Sequence, residues 1–461
     1  MNTRIEKDKL GTLAISNDIL YGIHTSRAMQ NFNISNKTVH LKLIYAIVTV
    51  KIAAISTHKE IKQISEEKAN YIIKACEEIL LGKHDDSFLT NALQGGAGTS
   101  THMNVNEVIA NVALKIAGRS YGDYEYINPF DDINIGQSTN DVYPTALRIA
   151  AIDFVRSLSL ELSKLQEALQ KKEQEFESIK KLGRTELMDA LPITLGQEFA
   201  SYAQAIARDR WRIYKVEERL RQVNLGGTAV GTGSNADRRY TFKVIEILRD
   251  LTGYGLSRAE YPMDLTQNND VFVEVSGLLK ALSVNLMKIC TDLRLMNSGP
   301  FGGFAEIKLE ELQSGSTIMP GKINPVIPEM ITQVAIQVMA NDTAITFAAA
   351  SGQFELNAFM PLIASNLLDS MELLNNSLPI FREKCIETVL ANPAMCEKHL
   401  NNSTVLITAL VPYIGYDVAT EILKEAQGDS SKIKDLVLSR GLVEESKLQQ
   451  IFDYSHASTY L

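Results

Sequence analysis

One stripe of apolar residues limits this chain more than any other feature. From Leu147, apolar side chains recur at Ala151, Phe154, Leu158, Leu162, Leu165 and Leu169, in steps of three and four. That spacing keeps one helix face apolar over about six turns. A second stripe runs through Val271, Val275, Leu278, Leu282, Leu286, Ile289, Leu293 and Met296, and stops at Gly299-Pro300. A third passes through Phe199, Tyr202, Ile206, Ile213, Val216 and Leu220. Two more helices are predicted after Pro328 and after Pro361. Ordinary globular helices average about eleven or twelve residues. Helices longer than that must bury their stripes on one another, so the predicted fold is all-α, mainly helical, around a long central bundle. Glu167 with Lys171 and Glu177 with Lys181 sit four residues apart and mark a solvated face.

At 461 residues the chain is long for one domain. The expected division is an N-terminal mixed helical domain (1–140), the bundle (141–392) and a small C-terminal helical domain (393–461) that begins after Asn392-Pro393. Short strand or hairpin pieces are expected near residues 10–21 and 224–233. The net charge is 46 − 55 = −9, a field that disfavours nucleic acid as a partner. Lys51 interrupts the apolar run of residues 43–55, which is too short to span a membrane. The first residues lack the apolar stretch of a signal peptide. Cys76, Cys290, Cys385 and Cys396 are too scattered for a disulfide scaffold. A cytoplasmic protein with reduced thiols, and with neither nucleic-acid nor membrane partners, is expected.

Four islands rich in Gly, Ser, Thr and Asn break the helical pattern. They are residues 94–106, leading to a helix at Glu107, then 134–141, 183–189 and 314–325. Each places hydroxyls and amides at or near an expected helix start, where unpaired N–H groups favour an anion. For any one island, plain helix capping is the simpler explanation. Four together, with Lys322 between Gly321 and Ile323, suit a small dicarboxylate better than a phosphate. No phosphate-binding loop or dinucleotide fingerprint occurs. The seven His show no metal-ligand spacing, so no metal and no cofactor are expected.

The fourth island reads Gly315-Ser-Thr-Ile-Met-Pro-Gly-Lys-Ile-Asn-Pro325. It resembles the signature of the aspartase/fumarase superfamily. Gly98-Thr-Ser-Thr through Asn106-Glu107, Gln137-Ser-Thr-Asn-Asp141, Gly352-Gln-Phe-Glu-Leu-Asn357 and Ala409-Leu-Val-Pro-Tyr-Ile-Gly-Tyr-Asp417 match the superfamily in the same order. Arg4-Ile-Glu-Lys-Asp, Tyr21-Gly-Ile-His-Thr and Val326-Ile-Pro-Glu329 resemble the aspartate ammonia-lyases more than the fumarases. The resemblance implies a three-domain helical subunit in a homotetramer, with each active site shared between subunits. It implies anti elimination across a succinyl backbone to give fumarate and a leaving group. Ser316 is the implied base. Thr99, Ser138, Thr139 and Thr317 would hold the carboxylate that becomes an aci-carboxylate. Thr185, Lys322 and Asn324 would hold the other, and Asn140 would contact the leaving group.

Gly321 stands where aspartases usually carry Ala and fumarases Gly, and three further departures qualify the resemblance. Glu186 stands where the superfamily reads His after Gly-Arg-Thr. His102 replaces the Asn of Thr-Asn-Met-Asn, and Asn128-Pro-Phe-Asp131 replaces a His-Pro-Asn-Asp segment. The resemblance places Glu329 in the segment that pairs with the usual His, so of Glu186 and Glu329 either one is expected to hold a proton or a cation is expected between them. His102 and an amine-bearing substrate are the candidates for it. Three readings stay open: a lyase releasing ammonia or a modified amine from aspartate or a related aminosuccinate, a fumarase-type hydratase, and a catalytically silent homologue with a structural or binding role.

Overall fold

The structure, a computed structural model, describes residues 3–452. Met1, Asn2 and the last nine residues of the expected C-terminal piece lie outside the described residues. The fold is mainly helical, as the stripes predict. An antiparallel hairpin opens it, β1 (Thr3–Asp8) with β2 (Gly11–Ser16), Thr3 opposite Ser16. This begins earlier than the expected 10–21. Then come α1 (Ile23–Asn31), α2 (Leu41–Glu60), α3 (Glu66–Leu80) and α4 (Thr99–Ile116). The α4 helix starts eight residues before the expected Glu107. Gly98, in a left-handed conformation, caps it, and Thr101 to Leu114 are all buried. A helix buried on every side shows no apolar stripe, which is why its polar first half read as a loop.

Three long helices carry the stripes, α5 (Thr139–Glu175, 37 residues), α6 (Leu195–Leu220) and α9 (Asp270–Met296), and two more, α10 (Val326–Ala350) and α11 (Met360–Phe381), lie about where Pro328 and Pro361 predict them. Between them lie a second hairpin, β3 (Lys180–Thr185) with β4 (Met188–Thr194), and the shorter α7 (Arg238–Thr252) and α8 (Pro262–Gln267). Two-residue strands pair as β5 (Gln222–Val223) with β6 (Ser257–Arg258), parallel, and β7 (Ile307–Lys308) with β8 (Leu390–Ala391), antiparallel. The strand expected within 224–233 is therefore only β5, just before that range. The chain continues through α12 (Pro393–Asn402), α13 (Val411–Ile414), α14 (Tyr416–Ala426), α15 (Ser430–Ser439) and α16 (Glu445–Phe452).

The α5 stripe is buried throughout. Each such leucine contributes roughly 1.5–3 kcal/mol relative to exposure. On α9 the core face drifts by one residue: Phe272 and Leu279 are buried where Val271 and Leu278 are only half-buried. The chain packs as two compact units whose boundaries fall inside the five long helices. One holds residues up to Ser159, Trp211–Ser283 and Ile336–Asn375. In it Arg156 grips Glu217 with two hydrogen bonds (α5 to α6), and Ser276 donates to Asp342 (α9 to α10). Helices α3 and α7 pack on α2. The other holds Leu160–Arg210, Val284–Ala335 and Asn376 onward. There Asn285 donates to Asp209 and Tyr202 to Asp292, both α6–α9 links. Ile407, Leu410, Ile422, Ile433, Val437 and Leu448 form a separate small core in this unit.

Candidate active site

The candidate residues fall into two sets, one in each unit. In the first, Gly98 has φ +96°, and an added Cβ would stand 2.4 Å from the Tyr143 ring, so only glycine fits. This turn puts Thr99, exposed, at the first position of α4, its hydroxyl donating to the Gly96 carbonyl at 2.8 Å. Ser138, Thr139 and Asn140 form the start of α5. Ser138 Oγ accepts the Asn140 N–H at 3.2 Å, and Asp141 Oδ1 accepts the Ser138 N–H at 2.9 Å. Asp141 Oδ2 accepts the N–H groups of Gly226 and Thr228, and Asn140 Nδ2 donates to the Ala229 carbonyl. The 226–229 loop is thereby fastened to the start of α5.

His102 lies fully buried on α4. Its Nδ1 is 2.9 Å from Thr139 Oγ1 and its Nε2 is 2.6 Å from Lys51 Nζ. Lys51, from α2, also donates to Asn134 Oδ1 and Gln137 Oε1, both at 2.9 Å. Burial, and then the neighbouring ammonium, hold the His102 imidazole well below its ordinary pKa. His102 is therefore neutral and does not supply the cation for which it was a candidate; the group beside it that can carry charge is Lys51. Sequence reasoning passed over Lys51, whose one signal was the charge that interrupts an apolar helix.

The second set begins on the β3–β4 hairpin, so the 183–189 island is not a helix start. A two-residue turn joins Thr185 to Met188, with Glu186 at φ 53° and Leu187 at φ 63°. Such a turn normally announces itself by Asn-Gly or Asp-Gly; Glu-Leu gives no such signal. Ion pairs anchor the hairpin below its tip: buried Lys181 pairs with Glu198 and Glu306, and Arg184 with Glu306 at 2.8 Å. Thr185 and Glu186 stand exposed at the tip.

The signature loop closes on itself. The Gly315 N–H donates to the Lys322 carbonyl at 2.8 Å, and Asn324 Nδ2 donates to the Gly315 carbonyl at 2.9 Å. A Cβ on Gly315 would meet that Lys322 oxygen at 2.5 Å. Ser316 Oγ accepts the N–H groups of Ile318 at 3.2 Å and Met319 at 3.0 Å. Two donors on one hydroxyl oxygen stabilise its anion. Thr317 and Lys322 are exposed beside it, and Glu329 occupies the first turn of α10. In the single chain Glu186 and Glu329 stand on separate elements, with no hydrogen bond joining them.

Residues 11–340 match a family model described as lyase, and residues 406–456 one described as fumarase C C-terminus. An aspartate ammonia-lyase of a Bacillus species is 43% identical, covering 98% of this chain and 97% of the relative. That of Escherichia coli strain K12 is 42% identical, covering 98% and 95%. Among solved structures, a fumarate lyase:delta crystallin from Brucella melitensis bound to cobalt superposes with a TM-score of 0.93 at 43% identity, covering 98% of both chains. A recombinant class II fumarase from Schistosoma mansoni superposes with a TM-score of 0.92 at 31% identity, also covering 98% of both. Matched by the family model over most of its length and by relatives over nearly all of it, the chain belongs to the lyase family of the aspartase/fumarase superfamily.

Proposed function

We propose that this protein is a carbon–nitrogen lyase of the aspartase type, converting aspartate or a related aminosuccinate to fumarate and an amine. The observation that carries the reading is the Ser316 hydroxyl, held by two backbone N–H groups in an exposed glycine loop that also carries Lys322 and Asn324. As an oxyanion, Ser316 takes the proton from the carbon beside one carboxylate. The released electron pair moves into that carboxylate, giving an aci-carboxylate. The pair then returns to form the C=C bond as the C–N bond breaks and the amine leaves. Thr99, Ser138, Thr139 and Thr317 offer hydroxyls to the charge that develops on that carboxylate, which is where preorganised donors gain most. Thr185, Lys322 and Asn324 hold the second carboxylate, and Asn140 faces the amine.

The same reading makes the enzyme a homotetramer, with each site drawing residues from several copies and the 141–392 domain as the assembling element. Its support is α10, whose apolar residues spread round its whole circumference while Ile336 and Phe347 stand 52% and 71% exposed in the single chain. Helices apolar on every side are covered on every side in the working molecule. Trp211 and Tyr214 are likewise exposed on α6. Four free, buried cysteines accord with a cytoplasmic, reducing setting. The test is ultraviolet detection of fumarate from aspartate and from malate. Fumarate from aspartate, or from N-substituted aspartates assayed beside it, supports the lyase; fumarate from malate alone supports a hydratase; and no fumarate from any of them overturns the proposal.

A further inference from the structure

The Thr139 hydroxyl is tied to a buried lysine through a single imidazole, and this chain of three groups has only two self-consistent arrangements. Asn134 Nδ2 donates to the Gln137 carbonyl, and Gln137 Nε2 donates to the carbonyls of Ile133 and Ile135. Both amides are thereby pinned with their oxygens toward Lys51. Lys51 must spend two N–H groups on them whatever its charge. When charged, its third N–H points at His102 Nε2, so the neutral imidazole carries its proton on Nδ1 and donates to Thr139 Oγ1. The Thr139 proton is then left free for a carboxylate. When Lys51 is neutral, its lone pair accepts from Nε2–H and Nδ1 accepts from Thr139. The hydroxyl then offers an incoming carboxylate only lone pairs.

We propose that Lys51 and His102 are positioning residues that set the polarity of Thr139, making it a donor to the substrate carboxylate only while Lys51 holds its proton. The assignment rests on the reading of Thr139 as a carboxylate ligand. It would make dicarboxylate affinity fall with rising pH at a point fixed by a group that never touches the substrate.

The neighbourhood leaves Lys51 as the group that changes charge. Burial pushes it down to about 7, against the pull of Asp141 on α5. Asp141 itself is pushed up to about 6 by burial, so it is largely ionised above neutrality. Cys76 on α3 is pushed up by burial and stays a thiol. His58, about two turns further along α2, is lowered by burial and stays neutral. Tyr240 on α7, stacked on His58, is raised and stays a phenol.

The test uses the full-length enzyme and succinate, a dicarboxylate with no leaving group, titrated calorimetrically from about pH 6.5 to about pH 9. In the parent, Kd is expected to rise by about tenfold or more across that range, since each pH unit above the lysine's pKa removes about 90% of the competent form. His102→Asn puts an amide near the Nδ1 position that can donate to Thr139 without Lys51, so its Kd is expected to be nearly flat with pH. His102→Gln reaches toward Lys51 instead and is expected to bind weakly throughout. Nitrogen-15 spectra of histidine-labelled parent enzyme read the relay without any variant: the His102 proton is expected on Nδ1 at low pH and on Nε2 at high pH. Succinate that binds the parent with a pH-independent Kd, a pH dependence unchanged in His102→Asn, or a single tautomer across the range would each overturn the proposal. No succinate binding at any pH would overturn the dicarboxylate reading itself, and the assignment with it.

Discussion

Ser316 Oγ accepts the backbone N–H of Met319 at 3.0 Å, within a loop whose side chains otherwise face solvent. With the Ile318 N–H on the same oxygen, the loop spends its backbone on one hydroxyl. That expense is hard to explain by stability, because the loop buries little.

Ser316→Ala should therefore remove turnover and leave the fold intact. A loss of about 10³-fold or more in kcat is expected if the group moves the proton. The melting temperature should stay close to the parent's, as an exposed loop change is worth within about 0.5 kcal/mol. Steady-state kinetics beside a thermal melt decide it: activity within about tenfold of the parent excludes Ser316 as the base.

Lys322→Ala should raise KM and lower kcat together. A fixed positive charge attracts both the bound dicarboxylate and the more negative intermediate, so its loss weakens ground state and transition state alike. A combined loss of about 10²-fold or more in kcat/KM is expected. An unchanged KM would place Lys322 outside the substrate site.

The long helices were legible because burying one face leaves a 3.6-residue period in the sequence, and α5, α6 and α9 lie where their stripes are. What the sequence hid has equally physical causes. Helix α4 is buried on all sides, so its core positions are filled by Thr101, His102, Asn104 and Asn106 as readily as by valine, and no stripe marks it. The β3–β4 hairpin turns on Glu186-Leu187, two residues with none of the usual chemistry of a left-handed turn. Lys51 contacts Asn134, Gln137 and His102 only after the chain has folded, and no spacing rule links residues 51, 102 and 137. The signature loop was readable because its glycines and hydroxyls lie within one short segment.

Replacing Lys51 by Met should alter how stability varies with pH. The folded pKa is lowered from 10.5 to about 7. The unfolded chain therefore binds more protons between those values, and the parent gains stability as pH rises through them. That contribution is complete above the unfolded value and is lost as pH falls through the folded one. The Tm of the parent minus that of Lys51→Met should grow from pH 7 to pH 10. A constant difference would mean that Lys51 keeps an ordinary pKa.

Phe347→Asp should break the assembly. Phe347 is 71% exposed on α10, and in the proposed tetramer a carboxylate there would be buried against apolar surface without a counter-charge. Light scattering should show smaller species than the parent forms, and activity should fall by about tenfold or more in proportion. A fully active, dissociated variant would contradict sites shared between copies.

The proposed function gives Glu186 a further role, the choice of leaving group. It stands exposed at a hairpin tip fixed from below by Lys181, Arg184 and Glu306, so its position is set while its carboxylate remains available. Beside the leaving group, a carboxylate would stabilise a cationic ammonium on the substrate and repel the developing charge of a departing hydroxide. His102, neutral and engaged with Lys51 and Thr139, offers no compensating cation. The preference should therefore run toward amine-bearing succinates and against malate. Values of kcat/KM for aspartate, N-substituted aspartates and malate, in the parent and in Glu186→His, measure it directly. The parent should favour the amines over malate by about 10²-fold or more, some 3 kcal/mol in the barrier. Glu186→His should narrow that gap by removing the attraction for the ammonium. If malate is turned over as well as the amines, or the ranking survives the substitution unchanged, then Glu186 is a tolerated replacement and selectivity resides elsewhere in the site.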